Sequence, residues 1–404
     1  MNIQVQPRSA RIAKSLVSRN EEMQWEIFIV SMLKKLELSP ENHAKACRRY
    51  AQFAHHIAQK LGVDDDDVHV VVQGSMRTQT TIAGDGREKF DLDVVVKLSG
   101  PRFERLRDSG PFFEAFGEAL EGLEGAGKPE AKNRCWRLPY PNEPFYFDVT
   151  PAIPLSQHIT GANLRVRDEE QGWSPSNPEE FADWFCTIAD KRFIFRRSLN
   201  KAAMDSAKVD PIPDQPIGID DVLRRMVQLM KLHRDSYYKK QSDARRVAKP
   251  ISVILVTLAA KAYDEMALSG QYVGCSAIEV ALELVTRMPA FIQRGREIRV
   301  ENPAMIGVHG ENFAEKWNTD GGVRDQEFQT WHAVLERDLE ALFSEEYSKR
   351  SENRVHAVFG ELGVTAWKSS HGSGILAGLR ATAPGLAGTH PAAPRSTGSS
   401  NTLA

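Results

Sequence analysis

The segment 70–98 constrains this chain most, because it joins a Gly-Ser turn to a strand pattern that carries two aspartates. Gly74 and Ser75 end a run of valines, and the later run KFDLDVVVKL contains Asp91 and Asp93. Successive side chains of a strand point to opposite faces of its sheet. The two aspartates should therefore share one face, and the leucine and valines beside them should share the other.

A third aspartate suggests why two acids would be placed together. Like charges on one face repel, and each carboxyl group resists ionising unless a cation lies between them. Mg²⁺ binds a few carboxylates and completes its octahedron with water and substrate phosphates. Asp148, in the strand pattern FYFDVT, is the expected third ligand. Two Mg²⁺ ions about 4 Å apart, for which Mn²⁺ could substitute, would activate a hydroxyl and neutralise leaving pyrophosphate. This pattern predicts phosphoryl or nucleotidyl transfer.

The Gly-Ser turn supplies a complementary phosphate site. Glycine at position 74 lets backbone amides approach phosphate oxygens without a Cβ in the way, and the Ser75 hydroxyl can donate to the same oxygens. An Asp-x-Asp at a strand edge is, by itself, more often a solvated turn or a helix cap, and Gly-Ser alone is a weak signal. The combination with Asp148 favours a metal-nucleotide site.

Size and composition fit an intracellular enzyme. The 404 residues can bury a large core and form two lobes. A formal net charge of −2 gives no global basic field for nucleic acid. The four cysteines are far apart in the sequence, which indicates reduced thiols rather than a disulfide framework. Because no signal core or long apolar run is present, we expect a soluble, cytoplasmic protein without a membrane segment.

A long helix is predicted before the first strand, VHVVV (68–72). Ser39 is a typical N-cap, Pro40 suits the first helical position, and apolar residues recur at helical spacing until Gly62. This helix should lie behind the sheet. We interpret the acidic run 64–67 as a solvated loop without a metal.

The second half of the chain is predicted to be helical. A polar, Gly/Pro-rich stretch (157–180) and a proline-rich connector (209–218) precede it. Another helix is expected to begin at Pro250 with Ser252 in its first turn, where exposed amides suit a phosphate. A capping box at 276–279 begins a further helix. The first helix after the connector shows an apolar stripe and a separate polar stripe, formed respectively by Val222, Met226, Met230 and Tyr237 and by Arg224, Gln228 and Lys231. A long late helix is indicated by Val323, Phe328, Trp331, Leu335, Leu339 and Leu342.

These motifs resemble the DNA polymerase β-like nucleotidyltransferase superfamily. The form QGS-x-R-x-x-T, then DLDVVV, then FDVTPAIP is similar to the bacterial cGAS/DncV-like nucleotidyltransferases (CD-NTases), the signalling synthases of anti-phage CBASS operons. The phrases KPIS and, within 301–317, N-P and E-N-F-x-x-x-W resemble CD-NTases rather than poly(A) polymerases or antibiotic nucleotidyltransferases. The resemblance covers about residues 68–317.

The resemblance implies an α+β, bilobed, polymerase β-like fold, with a mixed catalytic sheet backed by helices and a helical second lobe. We expect a catalytic lobe at 1–208, with the N-terminal long helix, and a helical lobe that closes the nucleotide cleft at 209–367. Residues 368–404 have a composition typical of a disordered low-complexity tail. Matched residue by residue, Lys231 and Ser252 would hold the donor triphosphate together with Gly74 and Ser75.

The implied activity is Mg²⁺-dependent synthesis of a cyclic nucleotide second messenger from ATP, GTP or both. Asp91 and Asp93 would bind both metals, and Asp148 would complete the metal that activates the acceptor 2′- or 3′-hydroxyl. The product would be a cyclic di- or trinucleotide, with a purine product such as cyclic GMP-AMP expected. Two alternatives stay open: template-independent nucleotide transfer to RNA or a small molecule, and a catalytically inactive nucleotide-binding regulator.

The resemblance also suggests partners. The product would act on a downstream cyclic-nucleotide effector. Some related synthases are conjugated through small-residue C-termini by E1/E2-like proteins, and Ala404 ends such a segment here, although an inert tail fits equally well. Animal cGAS grips DNA with a His/Cys zinc thumb. The four isolated cysteines cannot form that cluster, so no direct DNA sensing is expected.

Overall fold

The computed structural model describes most of the chain apart from several gaps. The described ranges are 19–83, 89–104, 106–155, 163–191, 221–272, 275–306, 310–343 and 352–372. The Gly-Asp-Gly loop at 84–86, the connector at 209–218 and the predicted tail beyond residue 372 lie outside them.

A mixed sheet forms the catalytic half, as predicted. Within the described ranges its strands follow the order β1-β2-β5-β4-β3, and β6 pairs with both β5 and β7. Strands β2 and β5 are parallel, whereas the other pairs are antiparallel. The strands are β1 (Val68–Val72), β2 (Phe90–Leu98), β3 (Glu130–Ala131), β4 (Trp136–Pro139), β5 (Phe145–Pro154), β6 (Leu164–Asp168) and β7 (Gly172–Ser176). The polar stretch 157–180 thus contains a β-hairpin that the sequence did not predict.

The helices around the sheet differ from the sequence prediction in one respect. They are α1 (Arg19–Lys35), α2 (Pro40–Tyr50), α3 (Phe53–Leu61), α4 (Gly74–Arg77), α5 (Pro101–Glu104), α6 (Ser109–Ala119) and α7 (Pro178–Ala189). The single long helix expected up to Gly62 is two helices, because Gln52 N bonds to Arg49 O three residues back and interrupts the α-helical ladder. Both predicted ends are confirmed: Ser39 caps α2, and Gly62 is left-handed with φ +64°.

The second half is helical, as expected. It contains α8 (Val222–Lys239), α9 (Asp243–Val247), α10 (Ser252–Ser269), α11 (Ala277–Arg287), the small hairpin β8 (Gln293–Arg294) and β9 (Ile298–Arg299), α12 (Val323–Phe343) and α13 (Glu352–Gly372). The Ser276–Glu279 capping box and the late helix α12 are confirmed. Helix α10 begins at Ser252 rather than at Pro250. Ile251 is extended, and the Pro250 carbonyl accepts a hydrogen bond from Arg234 at 3.1 Å, which keeps it outside the helix.

Two apolar cores correspond to the two lobes. The first lies between the sheet and helices α2, α3 and α6, and contains the aromatic pair Phe53 and Phe147. The second lies among α8 and α10–α13. Trp25 of α1 packs edge-on against Phe343 in this second core, and Phe185 of α7 lies in it too. The sequence placed α1 and α7 in a catalytic lobe at 1–208, whereas their buried side chains complete the helical core. Helix α13 also continues to Gly372, past the expected start of the tail at residue 368.

The residues around the start of α7 contact the second half of the chain. The Asn302 side chain donates to the Asn177 carbonyl at 3.4 Å and to Glu311 Oε2 at 2.9 Å. Phe181 packs edge-on against Phe313, with ring centroids 5.5 Å apart. The N-P and E-N-F phrases noted in the sequence therefore fasten the helical lobe to the end of the sheet.

Two negative observations concern the described part of the chain. None of its helices combines the length and the apolar character needed to cross a bilayer. All four cysteines lie in the described ranges, and no disulfide joins any two of them.

A buried histidine in the helical core predicts a pH dependence of stability. Trp331 Nε1 donates to His233 Nδ1 at 3.1 Å, so the neutral ring carries its proton on Nε2, which lies 3.3 Å from Asp338. Burial lowers the pKa of His233 below its ordinary value of 6.5. As pH falls below 6.5, the unfolded chain takes up a proton that the folded chain resists. Stability present above that pH is then lost, by at most about 1.4 kcal/mol per pH unit.

Urea unfolding of the wild type and of His233→Gln at pH 7.5, 6.5 and 5.5 checks this. We expect the free energy of unfolding to fall more steeply in the wild type. An equal fall in both proteins would contradict the assignment.

Candidate active site

Three carboxylates lie side by side at one end of the sheet. The parallel pairing of β2 with β5 sets Asp93 directly opposite Asp148, and Asp91 lies two residues earlier on the same face of β2. One carboxylate oxygen from each of the three lies within 4.8 Å of the others. The structure thus brings together the three acids that the sequence predicted as metal ligands.

The charges in this cluster oppose one another. Burial most of all, and then the charges of Asp91 and Asp148, raise the pKa of Asp93 to about 8. Lys231 and Arg137 counteract this only in part. A set of three carboxylate oxygens suits hard divalent cations such as Mg²⁺ and Mn²⁺, and such a cation would relieve the repulsion. The residues present therefore fit the predicted metals.

Arg137 is a functional candidate that the sequence did not reveal. Strand β4 pairs with the other side of β5 and sets Arg137 opposite Asp148. Its guanidinium makes two parallel hydrogen bonds to that carboxylate, at 2.9 and 2.8 Å, and lies 4.0 Å from the centroid of the Tyr146 ring. Two acids and one arginine therefore form a row across three strands. The Pro-Asn turn between β4 and β5 could have given this register.

Gly74 touches the carboxylate cluster. It is left-handed, with φ +61°, and opens the short helix α4. A Cβ built on it would overlap Oδ2 of Asp93. The Gln73 amide also donates to the Asp93 carbonyl at 3.0 Å. Both the backbone conformation and the space require glycine here.

Ser75 lies at the same edge and is held by the loop that follows it. The Thr81 hydroxyl donates to Ser75 Oγ at 3.2 Å, and the Thr80 amide donates to the Ser75 carbonyl at 2.8 Å. Gln79, between Thr78 and Thr80, is left-handed with φ +56°. We call residues Thr78–Thr81 the donor loop.

The polar stripe of α8 is buried against the donor loop. Lys231 Nζ donates to the Thr80 carbonyl at 3.0 Å and to its hydroxyl at 3.1 Å. Arg224 donates to the Thr78 carbonyl at 3.1 Å, and Gln228 to the Thr81 carbonyl at 3.3 Å. Burial first, and then nearby Arg234, lower the pKa of Lys231 to about 7. An anion beside this ammonium would favour its charged form.

Ser252 lies across the cleft from the donor loop. Its Oγ accepts from Arg234 at 3.0 Å. Arg234 is 5% exposed and also contacts Asp235, which in turn lies 3.3 Å from Lys249.

One cleft joins these groups. Its polar lining includes Gly74, Ser75, Asp91, Asp93, Lys231, Arg234 and Ser252, and its apolar wall consists of Ile82, Phe181, Val253 and Val256. Asp148 does not line this cleft itself, but it lies beside Asp93, which does. All seven residues predicted for the site thus lie in this cleft or in the adjoining carboxylate cluster.

Comparison with known proteins gives consistent matches. Residues 68–151, which include Gly74, Ser75 and the three aspartates, match the family described as cyclic GMP-AMP synthase DncV-like, nucleotidyltransferase domain. A protein of Roseivirga ehrenbergii named c-di-GMP synthase is 26% identical over 317 residues, 75% of each chain.

Solved structures share the fold. The CD-NTase CdnG of Bradyrhizobium diazoefficiens, in complex with GTP, has a TM-score of 0.64 at 22% identity, covering 85% of this chain and 97% of that one. A mutant of the di-nucleotide cyclase DncV of Vibrio cholerae has a TM-score of 0.50 at 15% identity, covering 88% of this chain and 91% of that one. The predicted bilobed polymerase β-like fold is confirmed.

The contact between Gly74 and Asp93 predicts a specific effect of a Cβ. Gly74→Ala should lose Mn²⁺ binding, because the new methyl group displaces the Asp93 carboxylate. Gly62→Ala is the matched control, since Gly62 is also left-handed but has nothing within 4 Å of a built Cβ. Both variants should lose about 1–2 kcal/mol of stability from the left-handed backbone. Mn²⁺ titration followed by electron paramagnetic resonance separates them. Unchanged Mn²⁺ affinity in Gly74→Ala would refute the proposed contact.

Proposed function

We propose that this chain, whose residues 68–151 match the DncV-like nucleotidyltransferase family, is a CD-NTase that makes a cyclic purine dinucleotide from GTP, alone or with ATP. The observation that carries the proposal is the cluster of three carboxylates beside the Gly-Ser turn, facing Lys231 and Ser252 across one cleft. The relative named c-di-GMP synthase supports a dinucleotide that contains guanine.

The site residues divide into two groups by charge. Asp91, Asp93 and Asp148 would hold two Mg²⁺ ions, which supply, when bound, neutralisation of phosphate charge and activation of the attacking hydroxyl. Ser75, beside the carboxylates, and Lys231 and Ser252, on the other side of the cleft, would donate hydrogen bonds to the β- and γ-phosphates of the donor nucleotide. The backbone at Gly74 approaches the same phosphates because no Cβ intervenes.

The proposed reaction is an in-line displacement at the donor α-phosphorus. The acceptor 2′- or 3′-hydroxyl forms a new P–O bond and loses its proton to solvent, the bond to the β-phosphate oxygen breaks, and pyrophosphate leaves. The residues contribute mainly by positioning and by charge, which is where most catalysis of phosphoryl transfer arises. The linear intermediate then reorients in the cleft, and a second displacement of the same kind closes the ring and releases a second pyrophosphate.

The apolar wall supports a nucleobase in the same cleft. Phe181, Ile82, Val253 and Val256 border the phosphate-binding end, and Phe181 is fixed by ring contacts with Trp184 and Phe313. An aromatic ring can stack on a nucleobase of any type, and aliphatic side chains can pack against its faces. The cleft therefore offers surfaces for both the triphosphate and the base of one nucleotide.

We place the enzyme in CBASS anti-phage defence, where its product would activate a downstream effector. This assignment rests on the family resemblance. Expression of the chain with its neighbouring genes in a phage-sensitive host, beside the Asp91→Asn/Asp93→Asn double variant, tests it. Equal phage sensitivity of the two strains would refute the assignment.

The double variant Asp91→Asn/Asp93→Asn should release no pyrophosphate, because it removes two of the three anionic ligands. Its thermal stability in the absence of metal should equal or exceed that of the wild type, since the carboxylate repulsion is removed. A coupled pyrophosphate assay and thermal unfolding in EDTA measure the two quantities. Retained turnover would refute the proposed metal ligands.

The identity of the product is tested by incubating the purified chain with GTP, ATP or both in Mg²⁺. We expect a phosphatase-resistant cyclic dinucleotide containing guanine, identified by mass spectrometry and by nuclease digestion of its linkages. A product made only when RNA or a small-molecule acceptor is added would instead support the alternative transferase.

A further inference from the structure

The two serines of the cleft share a hydrogen-bonding pattern. Ser75 Oγ accepts from Thr81 Oγ1 at 3.2 Å, and Ser252 Oγ accepts from Arg234 Nη1 at 3.0 Å. Within the described ranges, each of these two Oγ atoms has only this one hydrogen bond. In both cases the donor comes from the protein, while the serine lines the cleft.

The direction of these bonds matters for an anion. A hydroxyl has one proton to donate and two lone pairs that accept. When a neighbour donates to its oxygen, its own proton is left to point elsewhere, and a donor that also accepts becomes a stronger donor. Phosphate oxygens only accept at neutral pH. A serine that accepts from behind is therefore already arranged to donate to a phosphate in the cleft.

Thr81 is held in place by the helical lobe. Its carbonyl accepts from the Gln228 side chain at 3.3 Å, and Gln228, which is completely buried, also donates to Glu37 at 3.1 Å. The next residues are fixed too, since the Ala83 amide donates to the Leu36 carbonyl at 2.7 Å. The threonine hydroxyl therefore reaches Ser75 from a backbone that two other elements support.

We propose that Thr81 is a positioning residue for the donor nucleotide, orienting the Ser75 hydroxyl as a hydrogen-bond donor to the donor triphosphate. Gln228 of the helical lobe sets Thr81 in place, so this lobe supports Ser75 through the donor loop. This inference rests on the proposed function, because it concerns how that nucleotide is bound.

The test compares two substitutions at Thr81 in the full-length chain. Thr81→Val keeps the branched shape and removes the hydroxyl, whereas Thr81→Ser keeps the hydroxyl. Binding of the non-hydrolysable analogue guanosine 5′-[β,γ-imido]triphosphate in Mg²⁺ is measured by calorimetry. We expect Thr81→Val to bind about five- to ten-fold more weakly, the range for one lost hydrogen bond. Thr81→Ser should bind within about two-fold of the wild type.

A double-mutant cycle shows whether Thr81 acts through Ser75. In the Ser75→Ala background, Thr81→Val should change the Kd by less than about two-fold, because the hydroxyl that it orients is already absent. A purely structural role would weaken binding by the same factor in both backgrounds. In turnover assays Thr81→Val should raise the donor KM more than it lowers kcat.

Three results would overturn the inference while leaving the proposed function in place: wild-type affinity in Thr81→Val, a loss in Thr81→Ser as large as in Thr81→Val, or additive losses in the cycle. If the wild-type chain binds no analogue at all, the proposed donor site itself is refuted and the inference falls with it.

Discussion

Parallel pairing of β2 with β5 places Asp93 and Asp148 side by side, so their carboxylates repel each other. Neighbouring residues of the site compensate for this repulsion. The three carboxylates are partly buried, so water screens their charges only in part and each compensating contact gains importance. Arg137 forms an ion pair with Asp148 from the neighbouring strand β4. Gly74 brings a backbone without a side chain against Asp93. These three carboxylates cost folding free energy, and their arrangement suits divalent cation binding.

The second consequence is that the two lobes are joined at the phosphate-binding end. Helix α8 presents to the catalytic lobe a polar face that is almost fully buried, and this face donates to three carbonyls of the donor loop, those of Thr78, Thr80 and Thr81. Buried donors without such partners would destabilise the fold. A left-handed residue, Gln79, lies within this loop, and the surrounding hydrogen bonds hold it there. The loop that supports Ser75 is thus shaped by both lobes.

Local sequence patterns predicted much of this structure. The patterns of apolar residues predicted strands β1, β2 and β5. Capping residues predicted the helix start at Ser39, the helix end at Gly62 and the capping box at Ser276, because these features depend on neighbours within a few residues. Counting along the strand placed Asp91 and Asp93 on one face, and the strand pattern around Asp148 allowed a neighbouring strand to bring it to them. Features that depend on distant parts of the chain could not be predicted. The polar stripe of α8 gave no sign that it would be buried. In the hairpin β6–β7, Leu164 and Val166 alternate with arginines as in a strand, but Gly172 and Pro175 make β7 hard to recognise. Arg137 differs from these features, because the register that sets it beside Asp148 is local and could have been inferred from the Pro-Asn turn between β4 and β5.

The most direct test of the proposed active site is a crystal structure of the chain with Mn²⁺ and a non-hydrolysable GTP analogue, using anomalous scattering to locate the metal. We expect manganese bound by Asp91, Asp93 and Asp148, with the triphosphate held by Ser75, Lys231 and Ser252. Manganese elsewhere, or a triphosphate bound away from the Gly-Ser turn, would contradict it.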